Sequence, residues 1–150
     1  MRYPRIIILE HDNRLREGVL PRRRAMLSER LPEGWSQEGR LWESHRFAVR
    51  EVRHPDSCLA EVADGSPAVV VVRGRRDLTV EQALIVRLKR LLPDVAIVVV
   101  GDVPDPLLAN WYWDVGADFV QLGPCSRDDL GEVVIGLLRE RIRRIGAEQA

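Results

Sequence analysis

A chain of 150 residues, 45% hydrophobic and 31% charged, fits one globular domain and can bury roughly two-thirds of its unfolded surface without disulfides or metals. Its 23 basic and 23 acidic residues cancel, so bulk charge draws it neither to nucleic acid nor to an anionic membrane. No apolar run approaches a membrane span, and Met1 to Glu10 gains charge too early for a signal peptide, so a cytoplasmic location is expected.

Taken in order, Ile6-Ile7-Ile8-Leu9 is continuously apolar. That pattern predicts a parallel strand covered by helices on both faces. It empties into Glu10-His11-Asp12-Asn13, where Asp12 or Asn13 can cap a helix. The helix carries Leu15, Val19, Met26, Leu27 and Leu31, and Pro21 is expected to kink or restart it, since an interior proline costs about 3 kcal/mol. Residues 32 to 46 read as a loop from Pro32, Gly34 and Gly39, although Trp35 and Trp42 argue that it packs on something. Phe47 to Val52 interleaves apolar and charged residues, which suits an edge strand. Asp56 to Ala63 can make two helical turns with Leu59 and Val62 inward, and Asp64-Gly65-Ser66-Pro67 then turns the chain.

The central strand is Ala68-Val69-Val70-Val71-Val72, and at its carboxyl end stand Arg73, Arg75 and Arg76, with no carboxylate before Asp77. Open α/β sheets place their ligands at that end. A helix runs from Asp77 or Thr79 to Leu92 with Leu84, Leu88 and Leu91 on one stripe, and Val95 to Val100 is a third continuous strand. Asp105 and Pro106 open the next helix as cap and first residue, and Gly116 closes it as a left-handed cap. Leu108, Trp111, Tyr112 and Val115 share its buried stripe, with Trp113 roughly opposite. Phe119 to Leu122 is a last short strand. Ser126 and Asp129 form a capping pair for a terminal helix that carries Leu130, Val133, Val134, Leu137 and Leu138 inward.

Five strands alternating with five helical segments imply right-handed parallel crossovers. The expected fold is therefore α/β, a flavodoxin-like three-layer sandwich with a five-stranded parallel sheet in order 2-1-3-4-5 and helices on both faces. One domain is expected over residues 1–146, with an atypical segment at 32–46 and a short tail at 147–150.

The ordered set Ile6 to Asn13, Pro67 to Val72, Pro93 to Val100 and Gly116-Ala117-Asp118-Phe119-Val120 with Gly123-Pro124 resembles the receiver domains of bacterial two-component response regulators. The resemblance spans nearly the whole chain except residues 32 to 46. Receiver chemistry needs two adjacent acids to hold magnesium, an aspartate on the third strand to accept phosphate, a Thr or Ser on the fourth strand and a lysine after the fifth. Carried over, Glu10 matches the first acid, but His11 stands at the second, with Asp12 as a neighbouring carboxylate. Arg73 falls at the phosphoacceptor, Gly101 at the hydroxyl and Leu122 at the lysine. A guanidinium can neither act as the carboxylate nucleophile nor tolerate magnesium beside it. The resemblance thus implies a pseudo-receiver with a degenerate pocket, without enzymatic activity, metal or cofactor. Arg73 is expected to pair with Glu10 or Asp12.

With no output domain expected, such a module would act on a protein partner or as a homodimer. The resemblance places that contact on the face of the fourth helix, fifth strand and fifth helix, with Trp113, Ile135 and Arg139 as candidate interface residues. Neither nucleic acid nor membrane is an expected partner. The alternative is a small-anion or nucleotide sensor using Arg73, Arg75 and Arg76; the simpler reading of these three is one structural ion pair and two solvated arginines. No Walker loop or Gly-x-Gly-x-x-Gly follows any strand. Cys58 and Cys125 match no metal or redox spacing and are expected to be free thiols.

Overall fold

The computed structural model of the chain describes residues 4–9, 40–42, 45–73, 79–101, 104–124 and 127–149. Among the described residues six strands run in chain order: β1 (Arg5–Leu9), β2 (Arg40–Trp42), β3 (His45–Val52), β4 (Ala68–Arg73), β5 (Ala96–Gly101) and β6 (Phe119–Leu122). Four helices lie among the described residues: α1 (Pro55–Val62), α2 (Thr79–Leu91), α3 (Pro106–Asp114) and α4 (Arg127–Gln149). The helix expected after β1 falls outside the described residues.

The sheet order is β2-β3-β1-β4-β5-β6. All pairings are parallel except that of β2 with β3. The five parallel strands thus have the flavodoxin-like order 2-1-3-4-5, as the alternating pattern implies.

Two expectations need correction at one edge. Part of the 32–46 segment is a strand, since Arg40, Leu41 and Trp42 pair antiparallel with Phe47, Arg46 and His45. The strand expected at the edge is accordingly flanked on both sides, by β1 and β2. Arg40-Leu41-Trp42 is too short to show a period of its own, so only its tight return onto β3 identifies it as a strand.

Period-two alternation divides the strands between two cores. Ile6, Ile8, Val69, Val71, Ala96, Val98 and Val100 face α4, where they meet Leu130, Val134, Ile135 and Leu138. Ile7, Leu9, Val70, Val72, Ile97 and Val99 face α1, α2 and α3, where they meet Cys58, Val62, Leu84, Ile85, Leu88 and Tyr112. Every residue of β4 and β5 is buried, which is why those segments read as unbroken apolar runs. Burying one such Val or Ile side chain contributes about 1.5–3 kcal/mol.

Candidate functional site

The receiver-like positions gather at the carboxyl end of the sheet. Arg73 is the last residue of β4 and lies in register with Val100, one position before Gly101, the last residue of β5. Gly101 is in turn in register with Leu122, the last residue of β6. Arg73 is only 8% exposed, so this guanidinium is part of the interior and not a solvated surface charge. Glu10, His11, Asp12, Arg75 and Arg76 lie outside the described residues.

Leu122 ends β6, and its side chain packs against the core shared with α1, α2 and α3. The residue that follows the strand is Gly123, whose N–H donates to the Gly101 carbonyl at 3.0 Å. Gly123 has φ +117, and a Cβ there would meet the Pro104 ring at 3.0 Å. A lysine would therefore need both a strained backbone and a displaced proline. The close approach of Pro104 explains the glycine, and neither Gly123 nor Leu122 can neutralise a phosphoryl group.

A second charge near this end escaped the sequence reading. Glu81 sits in the first turn of α2, the helix that follows β4, and is 3% exposed. An acidic residue in a first turn is favoured by the helix dipole, so its position is legible in the sequence while its burial is not.

The Gly-Ala-Asp stretch has its place at the opposite end. Asp118 Oδ2 accepts from the Ile97 N–H at 2.7 Å and from Lys89 Nζ at 2.9 Å, and Oδ1 accepts from Arg141 Nη2 at 3.0 Å. The Asp118 N–H donates to the Ile97 carbonyl at 2.8 Å. One carboxylate thus ties the start of β6 to β5, α2 and α4. Gly116 makes this possible: α3 ends in a Schellman arrangement, with Gly116 N–H on Trp113 O and Ala117 N–H on Tyr112 O. At φ +114 its missing Cβ leaves room for the Lys89 stem, whose Cγ would otherwise be 3.0 Å away. Lys89 is the chain's one lysine. These contacts lie at the end of the sheet opposite Arg73, Gly101 and Leu122.

On the side face, the α3 stripe packs as expected. Tyr112 is fully buried, Leu108, Trp111 and Val115 are packed on the same core, and Trp111 meets Tyr112 edge-on at 5.1 Å. Asp105 caps α3 by accepting from the Leu108 N–H at 3.1 Å. Trp113 is 45% exposed and sits edge-on to Phe119 of β6 at 6.4 Å. Leu107, on the same helix, is 83% exposed. Arg139 is exposed on α4. Ile135 is not an interface residue: it is 6% exposed and belongs to the core under α4. A position judged by helical spacing alone cannot show that α4 buries a stripe wide enough to include it.

Cys58 is fully buried under α1 and free, and burial, with a smaller contribution from Glu61, pushes its thiol up to about 12. It is therefore no nucleophile at neutral pH; Cys125 lies outside the described residues. Among the described residues no cluster of His, Cys, Asp or Glu could hold a metal ion, and no helix is long and apolar enough to cross a membrane.

No family model and no curated protein matches the sequence. Solved structures do. The receiver domain of a putative Luxo repressor protein from Vibrio parahaemolyticus matches with TM-score 0.67 and 12% identity, covering 98% of both chains. A CheY-like receiver domain protein from Methanospirillum hungatei JF-1 matches with TM-score 0.61 and 16% identity, over 95% of this chain and 99% of its own. NtrX from Brucella abortus matches with TM-score 0.60 and 20% identity over 96% of this chain, which spans 29% of the NtrX chain. In strand order and in the two cores flanking its sheet, the chain has the flavodoxin-like fold of response regulator receiver domains.

Proposed function

We propose that this chain is a receiver-like signalling module that is not phosphorylated at the receiver position and acts through protein contacts. The observation that carries the reading is the buried Arg73 at the end of the central strand, where receivers hold their phosphoacceptor. Gly101 and Gly123 beside it supply no hydroxyl and no cation. A pairing of Arg73 with Glu10 or Asp12 would take the place of a carboxylate-bound metal. The anion-sensor alternative leans on Arg75 and Arg76, which are outside the described residues.

The contact surface we infer is the face of α3, β6 and α4. Trp113 and Leu107 offer exposed apolar area there, and Arg139 offers charge. Tryptophan and arginine commonly anchor interfaces because each buries a large area while keeping a polar contact. A protein partner or a second copy of the chain would occupy it.

The test is incubation with acetyl phosphate and magnesium, followed by intact-mass measurement. No phosphoryl adduct is expected. An acid-labile, stoichiometric adduct on a carboxylate among residues 10–12 or on Asp77 would overturn the reading.

A further inference from the structure

α2 and α3 lie side by side on one face of the sheet. They follow β4 and β5, which are neighbouring strands, and they pack on the same core through Leu84 and Leu88 on one helix and Leu108 and Tyr112 on the other. All four large apolar side chains exposed among the described residues belong to these two helices: Val86 and Leu91 on α2, Leu107 and Trp113 on α3. Single exposed apolar residues are ordinary, but their concentration on one layer marks an interaction surface.

The two helices carry opposite charge. The exposed charges of α2 are Arg87 and Arg90, and that of α3 is Asp114. The sequence extends the contrast beyond the helices. Residues 73–90 hold six basic and two acidic side chains, whereas residues 102–126 hold four aspartates and no basic residue. Contacts at each side fix which way the helices face. Arg87 pairs with Asp56 of α1 at 3.9 Å, and the Lys89 stem lies against Gly116, just beyond α3. At about 100° per residue, Val86 then stands on the side of α2 nearer α3, with Arg90 directed outward. On α3, Trp113 sits against Phe119 of β6, which turns Leu107 and Asp114 toward α2.

We propose that a second copy of this chain docks on the α2–α3 layer, about a two-fold axis running along the helices. Homo-oligomers are most often two-fold dimers with self-complementary contacts. An axis across the helices would set α2 on α2 and arginine on arginine. An axis along them sets α2 of each copy on α3 of the other, so that Val86 meets Leu107 and Arg90 meets Asp114, twice. Opposite charge selects this second arrangement. The contact rests on the α3 surface inferred above, extends it to α2 and names its occupant.

The test is sedimentation equilibrium of the full chain beside Arg90→Glu, Asp114→Arg and the two combined. The native chain is expected to dimerise with a Kd on the order of 10 µM, as suits a small interface. Each single substitution should weaken the dimer about tenfold or more, because two attractions become repulsions. The double variant should recover most of that loss. Both positions are exposed, so melting temperatures should stay close to native. A chain that stays monomeric up to about 100 µM, a single variant that dimerises like the native chain, or a double variant as weak as the singles would each overturn the proposal. A native monomer that captures a different protein would do so while leaving the signalling reading in place. A phosphoryl adduct would overturn that reading and leave the dimer standing, so the two fail separately.

Discussion

At the amino end of the sheet a single carboxylate, Asp118, joins β5, α2 and α4. At the carboxyl end, neighbouring strands finish in a guanidinium, a glycine and a leucine. The first end holds the Gly116-Ala117-Asp118 stretch on which part of the receiver resemblance rests; the second holds the positions we propose have lost the reaction. The difference separates two kinds of likeness. Gly116 and Asp118 answer local demands of packing and charge, a positive φ against the Lys89 stem and two cations to pair. Likeness in scaffold motifs therefore says little about whether the phosphoryl chemistry is present.

The largest test of this contrast is Asp118→Ala. Removing the carboxylate leaves Arg141, whose side chain is 4% exposed, with the longer 3.8 Å pair to the half-exposed Glu140. Stranding one side of a buried pair costs about 3–5 kcal/mol, and the lower end is expected because Asp118 is 22% exposed. Urea denaturation should show the midpoint fall with the slope held; a change under about 1 kcal/mol, the size of an exposed pair, would mean that Asp118 is not the tie described here.

Next comes Gly116→Ala, where φ +114 and the Lys89 stem oppose a Cβ. A cost of about 1–3 kcal/mol is expected in the same assay. Were it neutral, the close passage of Lys89 would be wrong.

Cys58 belongs to neither end and serves as an internal standard for burial. Burial pushes its folded thiol up to about 12 from the ordinary 9.0, so the unfolded chain releases its proton first. The sign follows: stability is fully present below about pH 9 and falls by up to about 1.4 kcal/mol per pH unit above it. Cys58→Val should flatten that alkaline slope in denaturation curves taken from pH 8 to pH 10.5. An unchanged slope would place its origin elsewhere.

At the carboxyl end, Arg73→Ala should cost more than about 1 kcal/mol if the arginine is held in a partly buried pair, beyond the worth of an exposed one. A neutral substitution would remove the occupied-pocket reading. The smallest effect on stability is expected from Trp113→Ala, under about 1.5 kcal/mol for the loss of its edge-on contact with Phe119. Analytical ultracentrifugation or partner capture should then show association lost while the melting temperature holds. A large drop in melting temperature with association intact would make Trp113 a core residue.

The sequence by itself determined the alternation of elements, the five parallel strands and their order. Unbroken apolar runs such as Ala68 to Val72 and Ala96 to Val100 can be satisfied only in a sheet covered on both faces. It also determined the Asp105 cap and the Gly116 helix end, because caps and positive φ are local demands on single residue types. Tertiary structure alone decided that Arg40 to Trp42 returns onto β3, that Ile135 lies in the core and that the Pro104 ring lies against Gly123. It alone decided that Asp118 draws Lys89 and Arg141 into one cluster. Each of these depends on where a distant segment arrives. A local pattern specifies which residues want burial or a partner; only the assembled chain specifies which neighbour meets that want.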